Sequence, residues 1–303
     1  MNFQALREKL SSVVAIPVTP FDSEGKVAET AYRKVVRRLV DGGIEVITPN
    51  GNTGEFYALS TEEARYAVDI TVGECDGAAT VLVGVGHSIP DAIAGARHAR
   101  DAGAEAIMIH QPVHPYVSQA GWVDYHHEIA NAVPELGVVL YLRNPRIDGS
   151  YLAALGEAAP NVIGVKYAVP DPVRFGTVAQ DAGGSRFVWI AGLAELSAPG
   201  YWALGATGFT SGLANVDPGL SLAMLNALRA NDYPAAQRVW QQIRPFEQLR
   251  AVGESENNVS VVKEALAQLG LCRRDVRPPC RVLDETGRAE VARMLAEWGM
   301  PGA

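Results

Sequence analysis

Only three cysteines occur, Cys75, Cys272 and Cys280, and no two of them form a CxxC. So sparse and odd a set excludes a disulfide framework and carries neither a redox nor a zinc signature. Long apolar runs are missing too. No stretch reaches 18 apolar residues, and the opening MNFQALREKL has no hydrophobic segment of the kind a secretory signal needs. A cytoplasmic protein is the expectation. Basic residues are outnumbered, 26 Lys and Arg against 34 Asp and Glu, giving a net charge of −8. Nucleic acids and anionic membranes call for a basic face, so neither is an expected partner. The modest CRRDVRPPCR stretch (272–281) does not change that. Lysine itself is scarce: Lys9, Lys26, Lys34, Lys166 and Lys263 are all there are.

What is present describes a folded enzyme-like chain. Of 303 residues, 48% are apolar and 20% charged, enough to bury a sizeable core. Eight short β-rich runs recur: VVAIPV (13–18), IEVITP (44–49), TVLVGV (80–85), EAIMIH (105–110), GVVLYL (137–142), VIGVKY (162–167), RFVWIA (186–191) and ATGFTS (206–211). Segments of helical periodicity separate them. Strands alternating with helices imply parallel pairing and right-handed crossovers. Eight such units predict an α/β fold, a TIM (β/α)8 barrel over residues 1–230. A doubly wound open sheet is the competing reading; the eight units and the lack of GxGxxG after the first strand weigh against it. Ser60-Thr-Glu-Glu63 reads as a capping box, and DGG (41–43) and DAGA (101–104) read as helix ends. After the eighth unit only helical runs follow, so residues 231–303 are expected to form a C-terminal helical extension.

Active sites of TIM barrels lie at the C-terminal ends of the strands. Those ends offer NGNTGEF (50–56), His110, Tyr141, Lys166, AGLAEL (191–196) and TSGLAN (210–215). Lys166 is the one lysine embedded in a strand. Two readings compete for it. Paired with a carboxylate, it is structural. Desolvated and neutral, it is a nucleophile that forms an imine with a carbonyl. Tyr141, one strand earlier, offers a phenol that can shuttle protons in that chemistry; the bland alternative is a rim aromatic packing on a loop. In GNTG the glycines Gly51 and Gly54 let backbone approach a ligand, and Asn52 and Thr53 add donors suited to a carboxylate. The same four residues also suit a plain strand-to-helix turn. Glu55 reads as a loop anchor rather than a base. His110 and Glu55 are the tempting ligands for a metal-dependent hydrolase, the weakest of the readings.

Together, Lys166 in GVK, Tyr141 closing VVLY, and GNTGEFYALS closely resemble the dihydrodipicolinate synthase / N-acetylneuraminate lyase family. AIPVTPF (15–21) and NNVSVVKEALAQLGL followed by VRPP (257–279) match as well, so the resemblance spans nearly the whole chain. It implies a class I Schiff-base lyase on a TIM barrel with a three-helix extension. It also implies a homo-oligomer, dimer or tetramer, and no metal or organic cofactor. By the same resemblance, Lys166 is the imine-forming amine and Tyr141 the proton relay. Thr53, Asn52 and the adjoining Gly54 hold the keto-acid carboxylate, and Gly192 and Ser211 line the site.

The chain departs from the synthase branch in informative places. Asn52 stands where that branch has a threonine. In HQPVHPYVSQAG (110–121), His114 falls at the position of a relay tyrosine, with Tyr116 two residues on. In LRNPR, either Arg146 or Arg143 is the counterpart of the arginine that holds the second substrate. The aromatic in GEF is more like the sugar-acid dehydratase branch, which makes 2,5-dioxopentanoate from 5-dehydro-4-deoxyglucarate. The expected substrate is therefore pyruvate or a 2-oxo-3-deoxy sugar acid. Condensation of pyruvate with aspartate semialdehyde is the alternative, and a non-catalytic keto-acid-binding barrel the third reading.

Overall fold

The computed structural model describes residues 2–300. In chain order its elements are α1 (Phe3–Leu10), β1 (Val13–Ala15), α2 (Glu29–Asp41), β2 (Val46–Ile47), α3 (Thr61–Cys75), β3 (Thr80–Val85), α4 (Ile89–Ala102), β4 (Ala106–Ile109), α5 (Gln119–Asn131), β5 (Gly137–Leu142), α6 (Gly149–Ala158), β6 (Val162–Tyr167), α7 (Pro172–Asp181), β7 (Val188–Ala191), α8 (Ala194–Trp202), β8 (Gly208–Ser211), α9 (Pro218–Arg229), α10 (Tyr233–Ser255), α11 (Ser260–Gln268) and α12 (Glu285–Glu297). The eight strands close into a barrel in sequential order. Every neighbouring pair from β3 to β8 is parallel. This is the TIM barrel that the βα alternation predicts, with further helices after β8; closure rules out the open doubly wound sheet. Among the described residues no helix is long and apolar enough to cross a membrane.

β1 and β2 are shorter than the apolar runs that announce them. Pro17 and Pro49 follow close behind, and proline has no N–H to give a ladder. Pairing continues just past each strand as single bonds: Ile16 N donates to Ser211 O at 2.9 Å and Thr48 N to Ala15 O at 2.7 Å.

Two compact units make up the chain. The first comprises residues up to Val14 and Thr80–Thr210. Its strands β3–β7 are buried along their full length. Side chains alternate across them. Tyr167 meets Phe175 of α7 and Tyr201 of α8 at ring-centroid separations of 5.2 and 6.1 Å, so it faces the helix layer. Its neighbour Lys166 therefore faces the barrel interior. Helix starts follow their caps: Ser88 accepts from Asp91 N before α4, and Ser118 from Gly121 N before α5.

The second unit comprises Ala15–Ala79 and the residues from Ser211 onward. The capping box of α3 is formed, Ser60 Oγ accepting from Glu63 N at 3.2 Å and Glu63 Oε2 from Ser60 N at 2.9 Å. All of α9–α12 lie in this unit. α10 leaves helical geometry over Val252–Glu254, where Gly253 and Glu254 take positive φ. α11 is buried from Ser260 to Leu266, Lys263 and Glu264 included.

Candidate active site

In the first unit, β5 and β6 set Tyr141 directly beside Lys166 in parallel register. Both are buried, and the Lys166 Nζ lies 4.4 Å from the centre of the Tyr141 ring. A cation over an aromatic face is attracted to it, but weakly compared with an ion pair. Burial pulls the Lys166 amine down to about 8, and no carboxylate opposes that pull among the described residues. His110, fully buried after β4 with its backbone N–H donating to Val85 O at 2.8 Å, meets the Tyr141 ring edge-on at 5.9 Å. Lys166, Tyr141 and His110 thus stand on three consecutive strand ends. An amine with its pKa lowered by burial, a phenol and an imidazole supply what imine formation requires: a nucleophile once deprotonated and groups able to move protons.

In the second unit, the GNTG loop follows β2 as a tight 3-10 turn, Asn52–Gly54. Both glycines are needed where they stand. A Cβ on Gly51 would lie 2.6 Å from Ile16 Cγ2, and one on Gly54 would lie 2.9 Å from Pro17 O. Glu55 then takes a left-handed conformation, φ 60. Its carboxylate accepts from Lys263 Nζ and, at 2.8 Å, from Arg277 N. Arg277 also grips Glu63 with two nitrogens and donates to Ala58 O at 2.8 Å. Phe21 packs under both cations, 4.1 Å from Lys263 Nζ and 4.2 Å from the Arg277 guanidinium carbon. Glu55 is therefore an anchor that ties the loop to the C-terminal helices. Thr53 is buried, and its Oγ1 receives the Asn258 amide N–H at 3.4 Å.

The remaining predicted positions fall in different surroundings. Gly192, after β7, donates its N–H to Tyr167 O at 2.7 Å, and a Cβ there would press on that same oxygen. Ser211 is buried at the end of β8; its Oγ accepts from Ala214 N at 2.9 Å and pairs with Ser221 Oγ of α9 at 3.0 Å. His114 is exposed, its Nδ1 accepting from Tyr116 N at 3.1 Å. Arg143 and Arg146 are exposed as well, and the Arg146 guanidinium donates to Val117 O at 2.5 Å. The sequence reading missed the burial of Lys263. It also missed a polar chain from Arg250 through Asn258 to Thr53.

Residues 9–298 match the model of the dihydrodipicolinate synthetase family. The chain belongs to that family. It is a lyase of the dihydrodipicolinate synthetase family on a TIM barrel. A dihydrodipicolinate synthase of known structure from Bacillus clausii is 41% identical to it, with a TM-score of 0.93 over 97% of this chain and 99% of that one. A 4-hydroxy-tetrahydrodipicolinate synthase of Phenylobacterium zucineum is 33% identical over 93% of this chain and 95% of its own. A protein of Methylobacterium radiotolerans named "Probable 5-dehydro-4-deoxyglucarate dehydratase" is 32% identical over 95% of each chain. Similarity of this extent runs to both the synthase and the dehydratase branches of the dihydrodipicolinate synthetase family.

Proposed function

We propose that this chain is a class I lyase in which the Lys166 amine forms an imine with a 2-oxo acid. The observation that carries the reading is a buried lysine on a strand end, with no carboxylate pull among the described residues and drawn down to about 8, with a tyrosine ring at 4.4 Å. The amine nitrogen adds to the 2-oxo carbon, and the carbinolamine loses its oxygen as water. The Tyr141 hydroxyl carries the protons this exchange needs. The protonated imine acidifies the adjacent carbon, whose proton passes to a base through the Tyr141 hydroxyl, leaving an enamine. In a 3-deoxy sugar acid the enamine expels the next carbon's hydroxyl, which leaves as water. Thr53 and Asn52, beside Gly54, hold the acid's carboxylate. Gly192 and Ser211 line the site, and His114 with Arg143 or Arg146 meets the far end of the substrate. We prefer a sugar acid such as 5-dehydro-4-deoxyglucarate, because Asn52 replaces a hydroxyl and His114 a phenol of the synthase pattern. Condensation of pyruvate with aspartate semialdehyde is the second reading, favoured by the 41% identity to a solved synthase. A cytoplasmic homo-oligomer is part of the proposal, supported by the exposed Val113 and Tyr116 on one loop of the first unit.

The test is chemical trapping. Incubation with pyruvate followed by borohydride reduces the imine to a stable secondary amine, which peptide mapping locates. An adduct on Lys166 that vanishes in Lys166→Ala supports the mechanism. A blank with pyruvate and with longer deoxy sugar acids leaves the lysine structural. Turnover of aspartate semialdehyde with pyruvate, and of no sugar acid, would decide for the second reading.

A further inference from the structure

We infer that Asn258, oriented by Arg250, keeps the Thr53 hydroxyl turned to donate to the substrate carboxylate, so that the C-terminal helices set affinity for the 2-oxo acid. The inference rests on the carboxylate role proposed for Thr53.

Four side chains of the second unit form a directed chain. Glu247 and Arg250 lie one turn apart on α10, both buried, with Arg250 Nη1 2.6 Å from Glu247 Oε1. The same guanidinium donates from Nη2 to Asn258 Oδ1 at 2.7 Å and from Nε to Asn258 O at 3.3 Å. Arginine has donors only. The amide atom it faces must therefore be the oxygen of Asn258, which settles the orientation that an amide otherwise leaves open. The Asn258 NH2 is then the group at Thr53, and it can only donate, at 3.4 Å. With that lone pair of the threonine oxygen occupied, the single hydroxyl hydrogen of Thr53 is turned elsewhere. A carboxylate is an acceptor only, so a threonine held as a donor is what it needs.

The backbone is arranged for this contact. The departure of α10 from helical geometry at Val252–Glu254 folds Asn258 back over Arg250, eight residues earlier. Gly212, just past β8, leaves the space the guanidinium fills, because a Cβ there would run into it. Asn258 and Arg250 act only through Thr53. They are positioning residues.

The experiment is the half-saturating pyruvate concentration for borohydride trapping of Lys166 in wild type, Asn258→Ala, Asn258→Asp and Thr53→Val, with the double variant T53V/N258A and a thermal melt of each. Asn258→Ala is expected to raise half-saturation about tenfold, the loss of a hydrogen bond that serves a charged group. The isosteric Asn258→Asp is expected to raise it further, to about a hundredfold, since a carboxylate pairs with Arg250, accepts the Thr53 proton and repels the substrate. Adduct yield at saturation falls far less than affinity. In the double variant the effect of N258A is largely absent, because Asn258 acts through Thr53. Half-saturation unmoved in N258A, or effects of T53V and N258A that simply add, overturns the inference while the imine chemistry stands. No adduct in wild type with any 2-oxo acid takes down the proposed function and this inference with it. If Asn258→Asp fails to fold, the T53V and N258A cycle decides alone.

Discussion

The Lys166 nitrogen stands 4.4 Å over the ring of Tyr141, its register partner on the next strand. The ring and the hydroxyl of that tyrosine have separable duties. Tyr141→Phe keeps the aromatic face that packs on the amine and removes only the phenol. Turnover is expected to fall roughly 10²–10⁴-fold, the usual weight of a general acid–base group, while borohydride still traps an adduct on Lys166. Steady-state kinetics beside mass spectrometry checks this; full activity in the phenylalanine variant would assign the phenol no part in proton transfer.

Burial governs the pH dependence. A free lysine near 10.5 is almost wholly charged at neutral pH, whereas an amine at about 8 is neutral roughly one time in ten at pH 7. The nucleophile is the neutral form. The rate of imine trapping with pyruvate should therefore rise with pH, steepest below about 8, and level off above it. A rate still climbing tenfold per unit at pH 9.5 would mean that the amine has the ordinary lysine value.

Lys263 is the contrasting buried lysine. Burial pulls its amine down and the Glu55 carboxylate pulls it back up. Both side chains are shut off from solvent. Removing one partner of such a pair leaves an uncompensated buried charge, so Lys263→Met should cost about 3–5 kcal/mol in urea unfolding. Adding Glu55→Gln should restore part of that loss. Equal stabilities of wild type and Lys263→Met would contradict the buried pair.

His126 predicts an acid limb of stability. It is fully buried, stacks on Trp122 at 3.9 Å, and its Nδ1 lies 2.7 Å from Trp122 O. Burial lowers it to about 4 from 6.5, outweighing the backbone contact. Between those values the unfolded chain binds the extra proton, so the stability this neutral histidine permits is present above about 6.5 and is lost as pH falls towards 4. The melting temperature of His126→Leu should fall less over that window than that of wild type. Parallel curves would refute a buried neutral imidazole.

Much of this was legible beforehand, for identifiable reasons. Strands buried on both faces read as continuous apolar runs, so the single charge in VIGVKY stood out against its background. The GNTG turn carried its own glycines, and Glu55 read correctly as an anchor. Lys263 was hidden because it sits on a helix, where lysines ordinarily face water, and because its partner lies 208 residues away. The Arg250–Asn258–Thr53 chain was hidden for the same reason. Asn258 and Thr53 are 205 residues apart, and no local pattern shows that the break at Val252–Glu254 folds Asn258 back onto Arg250. His126 and His127 are adjacent in sequence, yet only the first is buried, a distinction set by helix phase.

The anchoring of Glu55 also orders events during synthesis. Its two donors, Lys263 and Arg277, follow it by 208 and 222 residues. A nascent chain emerges from its N-terminal end, so the carboxylate-bearing loop is made early and held late. Until residues 263 and 277 have left the ribosome, the loop has neither its cations nor the ring-and-cation stack on Phe21. A chain truncated before residue 263 would lack both donors to Glu55 and so lose the fastening of the loop.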